Sequence, residues 1–522
     1  MLPNKLHARH SWKESIASAL DRQVIIMLFL GFSAGLPLLL IFSSLSLWLR
    51  EAGIDKTAVT YFSWAALGYS FKFVWAPLVD RLPIPVLTKL LGLRRSWMLL
   101  AQLGIFISIT LMALVDPSVA SNNLTTVAIG AVLLGFSSAT QDIVIDAYRI
   151  EAANPELQGM MSASYIAGYR IGMIVAGAGA LYLASYFGST MNNYVYDAWK
   201  FTYHIMSLFV FVGIITTLII HEPILNKVEN HYNENDYLRL VLVFLLAVVA
   251  FVAFFVASSS LVSSIKSDLG IFLNNKLLAS FLIESIRLIS IGLIAVFVAT
   301  LAVKARLANK DLIELSYVAP VKSFFDNYGL KTAWLLLGLI GLYRISDIVL
   351  GVISNVFYQD MGFSKEEIAN AVKLFGLVMT IVGGFAGGVL AMRVGVMRML
   401  FLGAVLVVAT NLLFILLVYS GHNLQILYLV VAADNLVAGL ASAAFIAFLS
   451  SLVDVRFTAM QYAIFSSLMT LIPKVIGGYS GGIVDSVGYT NFFLFASLLG
   501  LPVLLLVYMA NRSLELVAEK SE

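Results

Sequence analysis

Trp48-Leu-Arg-Glu-Ala-Gly53-Ile-Asp-Lys56 closes the first long apolar run of the chain, and Phe357-Tyr-Gln-Asp-Met-Gly362-Phe-Ser-Lys365 closes another much further on. The two joints share an aromatic start, an acid in the fourth place, a glycine in the sixth and a lysine at the end. A second register agrees: Gly135, Ser138, Arg170 and Gly177 are matched at one constant offset by Gly439, Ser442, Lys474 and Gly481. Paired registers of this kind mark two structurally related halves. Each half is expected to be a six-helix bundle whose fifth apolar segment carries a cation.

Outward from these joints, apolar stretches of roughly 20 or more residues, enough to cross a hydrocarbon core of ~30 Å, recur along almost the whole chain. Of 522 residues, 60% are hydrophobic and only 12% charged, a balance ordinary soluble domains do not sustain. Hydropathy places spans near 23–49, 57–79, 96–115, 124–147, 158–187 and 199–220, then 237–257 and 277–303 around a Ser-rich loop, then 332–357, 367–391, 395–419, 425–452, 459–484 and 489–510. The expected fold is therefore all-α and integral to a membrane, with 14 spans. It comprises a tail at 1–22, a six-helix bundle over 23–221, a linker with an extra transmembrane hairpin over 222–331, a second six-helix bundle over 332–511 and a tail at 512–522. The apolar run ending at Leu49 is too long for a secretory leader and is expected to stay as the first span.

Basic residues in short loops favour the cytoplasmic side. With the N-terminus inside, Arg22, Arg81, Arg94, Arg95, Arg149, Arg393, Arg398, Arg456 and Arg512 all flank spans on that side, against Arg50, Lys56, Lys200 and Lys365 opposite. Both termini are expected in the cytoplasm. The net charge of +3 comes from basic residues scattered singly between spans, so no nucleic-acid partner is expected. Absence of cysteine excludes disulfides, thiolate metal sites and cysteine nucleophiles.

Three segments say more than a general membrane pattern: Tyr69-Ser-Phe-Lys72-Phe-Val-Trp75-Ala-Pro77-Leu-Val-Asp80-Arg81, Ser138-Ala-Thr-Gln141-Asp142-Ile-Val-Ile-Asp146-Ala-Tyr148-Arg149, and Gly168-Tyr169-Arg170-Ile-Gly172-Met. Together they resemble the AmpG muropeptide permeases of the major facilitator superfamily. The joint Gly387-Gly388-Val-Leu-Ala-Met-Arg393-Val-Gly395-Val-Met-Arg398 is similar to that superfamily's glycine and arginine signature. The first two segments are also similar to the acetyl-CoA transporter family; the third, with the Asp80-Arg81 pair, favours AmpG. The resemblance implies a major-facilitator fold and inward transport of muropeptides, GlcNAc linked to anhydro-MurNAc with or without a stem peptide, across the bacterial inner membrane. It further implies drive by the proton motive force, a role in peptidoglycan recycling, and signalling that induces β-lactamase. A carrier of acetyl-CoA or another organic anion is the alternative.

Ionisable groups inside spans cost about 2.5–3.5 kcal/mol each at a helix centre and face a cavity or one another. Here they are Lys72, Arg170, Arg344, Lys373 and Lys474 against Asp142, Asp347 and Asp434, with Glu284 and Arg287 in the hairpin. The cation excess suits a cargo bearing carboxylates. Arg170 and Lys474 lie about a dozen residues into their spans, ~18 Å at 1.5 Å per residue, hence near the midplane. They are expected to bind cargo carboxylates, permanent pairing with an aspartate being the alternative. Lys72 and Arg344 are expected to assist, although Arg344 and Asp347, three apart, can also pair locally. For proton coupling the candidates are Asp142, then Asp347; for Asp142 an anchoring ion pair is the alternative. Gln141 offers hydrogen bonds to sugar hydroxyls or an N-acetyl group, or an interhelical clasp. Tyr165 and Tyr169 are candidates for stacking on sugar faces, whereas Tyr61, Trp64, Tyr69 and Trp75 read as packing or interfacial anchors.

Asp80, Arg81, Asp146, Arg149, Arg393 and Arg398 sit near the cytoplasmic ends of spans and are expected to pair across a gate. The small-residue run from Gly172 to Gly179, and Gly477, Gly478, Gly481 and Gly482, are expected to let helices approach closely. His204 reads as a packing residue, and His7 and His10 lack metal-ligand companions. No phosphate loop, metalloprotease pair or nucleophile elbow is present, so an enzyme is not expected. Neither is a cofactor or a metal. The expected partners are the cargo, protons and the lipid bilayer, around a monomer.

Overall fold

In lipid a chain must satisfy its own backbone hydrogen bonds, and the apolar runs do so as helices. The computed structural model describes residues 12–54, 62, 67–190, 192–223, 232–273, 276–477 and 480–519. The expectations for His7, His10, Tyr61, Trp64, Gly478 and much of the second span lie outside these residues. Two units are distinguished, Met1–Leu225 with Ser323–Glu522, and Asn226–Lys322.

The first half of the larger unit contains α1 (Arg22–Ile41), α2 (Ser43–Glu51), α3 (Leu67–Phe71), α4 (Ala76–Arg81), α5 (Leu93–Ala113), α6 (Ser121–Ala152), α7 (Gln158–Ile174), α8 (Ala180–Tyr186) and α9 (Tyr196–Ile219). The smaller unit contains α10 (Glu234–Ala257), α11 (Ser259–Phe272) and α12 (Lys276–Lys304). The second half contains α13 (Leu330–Leu342), α14 (Ile345–Asp360), α15 (Gly376–Val394), α16 (Val396–Ser420), α17 (Leu424–Leu452), α18 (Thr458–Gly477), α19 (Ser480–Leu498) and α20 (Leu501–Glu519). Among the described residues, 12 helical stretches are long and apolar enough to cross a membrane, not the expected 14. The span expected near 57–79 is only partly described, and the one near 459–484 corresponds to α18, outside that set. Gly488, at φ 79°, breaks α19 where the joint between the last two spans was expected.

The repeat is visible in backbone geometry. Gly53 and Gly362 both take positive φ, 78° and 86°. At the first joint the Ile54 N–H donates to the Leu49 carbonyl at 2.9 Å and Gly53 to Arg50; at the second, Phe363 donates to Tyr358 at 3.1 Å and Gly362 to Gln359. This is the same left-handed helix cap twice, and a glycine serves it without the penalty a Cβ would bring.

Each half has its own core. Trp48 stacks on Trp199 and packs against Tyr203 in the first, and Phe357, Phe414 and Phe493 cluster in the second. Close backbone approach glues helix pairs. A Cβ on Gly168 would stand 1.9 Å from the Leu28 carbonyl oxygen of α1, and Gly172 meets Phe32 similarly. In the second half the intimate pair is α15 with α17, through Gly383, Gly387 and Gly439. Gly477 touches Val352, but Gly481 and Gly482 have nothing within 4 Å of a built Cβ. The expectation of tight packing there is corrected: the second half's closest contact lies in other spans.

In the smaller unit, α10 and α12 pack along each other, and the expected Ser-rich loop is instead helix α11, laid on α12. Lys266 of α11 pairs with Glu284, and Arg287 reaches Glu284, Ser258 and Ser259 while lying 3.9 Å from the Phe255 ring centre. These local pairs keep the unit's two intramembrane charges satisfied.

Candidate functional site

The first span of the second half is broken in mid-course. Arg344, at φ −97° and ψ 12°, interrupts α13 and α14, and its guanidinium bonds Asp347 at 2.5 Å. The local pairing allowed by their spacing is thus formed. Arg170 of α7 is exposed and has no ion pair among the described residues, yet lies within charge–charge reach of Arg344 and Asp347. Lys373, in the π-helical turn Ala369–Phe375, is likewise within reach of Arg170. Cations from both halves therefore converge. Asp434 of α17 is within charge–charge reach of Asp347; the hydropathy reading notes it but gives it no task. Lys474 follows Pro473 on α18 and is exposed, with no hydrogen bond or ion pair to a described residue. No interaction draws it into the Arg170 group.

A second cluster lies on α6. The Tyr165 hydroxyl donates to Asp142 at 3.3 Å, and Tyr165 and Tyr169 rings are 6.0 Å apart. Lys72 is only 7% exposed and pairs with Asp146 at 3.7 Å. It starts the 3-10 turn Lys72–Val74 and sits in a salt bridge to α6 rather than on an open surface. Gln141 is fully buried and donates to Ser33 at 3.1 Å. It clasps α6 to α1 and does not line an accessible face; separately, Gln102 accepts from Thr217 between α5 and α9. Tyr69 donates to Ser138 and Trp75 to Thr140, both packing contacts. His204 bonds the Lys200 carbonyl of its own helix.

One end of the larger unit carries most of its arginines, and there the halves meet. Asp80 accepts from Arg94 at 2.7 Å and from the backbone N–H groups of Ala459 and Met460, at 3.1 and 2.8 Å. A carboxylate of the first half thus caps the N-terminus of α18 in the second, where helix dipole and free donors both favour it. Arg94 also bonds Glu151 at 2.6 Å. Arg149, 1% exposed, donates to Ser450 of the second half and to Gln158, each at 2.8 Å, and lies 5.1 Å from the Tyr462 ring centre. Arg81 stands over Phe457. Between them, Gly388 of α15 meets Gly159 and Met160 of α7. Of the first half's gating candidates, Asp80, Arg81 and Arg149 touch the second half here, and Asp146 is joined to them through Arg149 at 3.5 Å. For Arg393 and Arg398 no ion pair to a described residue is formed. Glu151, Ser450, Tyr462 and the backbone donors at 459 and 460 were missed, since a partner so far away in sequence leaves no local trace.

Comparison with known proteins agrees with this architecture. The profile of the Major Facilitator Superfamily matches residues 23–345 and 335–521. An AmpG transporter of Rickettsia conorii is 30% identical over 491 residues, 94% of this chain and 97% of that one. The chain belongs to the AmpG family of the major facilitator superfamily. The anhydromuropeptide permease of Escherichia coli K12 is 28% identical over 94% of this chain and 80% of its own length. Among solved structures, the proton:xylose symporter XylE aligns with a TM-score of 0.58 at 12% identity over 96% of each chain, and the fucose:proton symporter FucP of E. coli with 0.56 at 11%. At those identities the likeness concerns the fold. This AmpG-family chain is a multi-pass membrane transporter and not an enzyme.

Proposed function

We propose that this protein carries muropeptides, GlcNAc-anhydro-MurNAc with or without a stem peptide, inward across a bacterial inner membrane in symport with protons. The reading serves peptidoglycan recycling and the signalling that induces β-lactamase. The observation that carries it is near-full-length similarity to an anhydromuropeptide permease, combined with Arg170, which has no ion pair among the described residues, beside Arg344 where the two halves meet. In membrane surroundings such a cation demands an anionic partner, and a muropeptide's carboxylates supply one.

In this reading the arginine-rich end faces the cytoplasm, as the bias of basic residues favours, and both termini lie there. The contacts across the seam at that end then make it the closed, inner side of the carrier. Arg170 and Lys474 hold cargo carboxylates, Arg344 steadies them through Asp347, and Tyr165 and Tyr169 flank the sugar. Asp142 and Asp347 carry protons. Asp80, Arg81, Asp146 and Arg149 form the inner gate. Lys72 and Gln141, buried in pairs, support neighbours rather than touch cargo. A monomer suffices, since each half supplies one wall of the site.

Uptake of labelled GlcNAc-anhydro-MurNAc into proteoliposomes, with an imposed inward proton gradient and an acetyl-CoA control, tests the proposal. Accumulation that collapses with a protonophore is expected. Acetyl-CoA uptake with no muropeptide signal would transfer the chain to the other cargo class.

A further inference from the structure

The site described above leaves open how a proton at the centre is felt at the gate, and the ion pairs on α6 supply a route. Asp142, Asp146 and Arg149 fall at i, i+4 and i+7, one face of that helix. Two carboxylates there share one cation: Lys72 pairs with Asp146 at 3.7 Å and is within charge–charge reach of Asp142. Arg149 is shared as well, at 3.5 Å from Asp146 and 2.8 Å from Ser450 across the seam. Among the described residues, hydroxyls also face the cluster, from Tyr69 on α3, Tyr165 and Tyr169 on α7 and Tyr462 on α18, and Arg149 additionally bonds the Gln158 amide oxygen. The Lys72 turn itself packs against α18, a helix of the other half.

We infer that Lys72 is the positioning residue that transmits the charge of Asp142 to the gate. This rests on the alternating-access reading and on Asp142 as a proton carrier. When Asp142 is ionised it competes for the Lys72 ammonium. Asp146, left with less compensation, takes a larger share of Arg149 and weakens the bond to Ser450. When Asp142 holds a proton, Lys72 stays on Asp146, Arg149 stays on Ser450, and the inner face stays shut. The protonated carrier is thereby held open for loading, so the proton binds before the cargo.

Because the chain has no cysteine, one engineered cysteine reports on the seam. Ala447, buried and close to Gly159 in the interface, is changed to cysteine and labelled with a polar maleimide from the arginine-rich side, without cargo. Asp142→Asn should lower the labelling rate roughly fivefold, the size of one partly screened ion pair. In a Lys72→Met background the same Asp142→Asn change should have no effect, and Lys72→Arg should restore it. Since Lys72→Met leaves Asp146 uncompensated, the double change Lys72→Gln with Asp146→Asn provides a charge-balanced background that should be equally insensitive. An Asp142→Asn effect that persists in both backgrounds, or is absent in the parent, overturns the relay. The labelling needs no cargo, so its failure is separate from a failure of uptake.

Discussion

At the residue scale, the site is defined by which intramembrane charges are compensated. Arg344 and Lys72 have acidic partners within 4 Å, whereas Arg170 has none among the described residues. If Arg170 binds cargo, Arg170→Ala should raise KM for a carboxylate-bearing muropeptide about tenfold or more, the worth of a charge-assisted hydrogen bond. An amidated cargo should feel the change far less, and equal loss for both would make Arg170 structural. Asp142→Asn should abolish accumulation against a gradient while counterflow exchange persists at a reduced rate. Equal loss of both would identify Asp142 as an anchor. The hydropathy pattern made these residues legible, since a charge within an apolar run needs no context to stand out. Their partners were not legible. Lys72 meets Asp146 across two helical elements, a contact that no local pattern announces.

At the element scale, the sequence revealed the repeat because a left-handed cap admits glycine far more readily than other residues, so Gly53 and Gly362 had to fall in register. Helix α11 was misread as a loop because serine is an indifferent helix former and its packing on α12 is a tertiary effect. Glycines in the spans carry opposite consequences according to what they face. Gly168→Ala would drive a Cβ into the Leu28 carbonyl of α1 and should cost about 1–3 kcal/mol by forcing the pair apart. Gly292→Ala, in α12 with nothing within 4 Å, should be neutral or stabilising by up to about 1 kcal/mol. Thermal unfolding in detergent checks the contrast, and a matching loss at both sites would remove the case for tight α1–α7 packing.

At the scale of the whole molecule, the halves are joined at the arginine-rich end by contacts of unlike strength. The buried Asp80–Arg94–Glu151 group holds its geometry, and breaking such a group by removing one partner costs about 3–5 kcal/mol. The Gly388 contact is different in kind, since it contributes only closeness. A Cβ on Gly388 would stand 3.1 Å from the Met160 backbone, so a larger side chain there keeps α7 and α15 apart without touching any charge. Overpacking of this sort costs about 1–3 kcal/mol, and that cost falls only on the closed state. Gly388→Val should therefore move the equilibrium toward an open arginine-rich face by on the order of 5- to 150-fold. It should lower the affinity for cargo presented from the opposite side while leaving thermal stability nearly unchanged. Maleimide labelling of Ala447→Cys and equilibrium binding of muropeptide to right-side-out vesicles measure the two effects together. A rise in labelling with weaker outside binding marks a seam that closes by contact. A stability loss without change in labelling would mean instead that the closed face is fixed by its ion pairs and that the glycine only fills space.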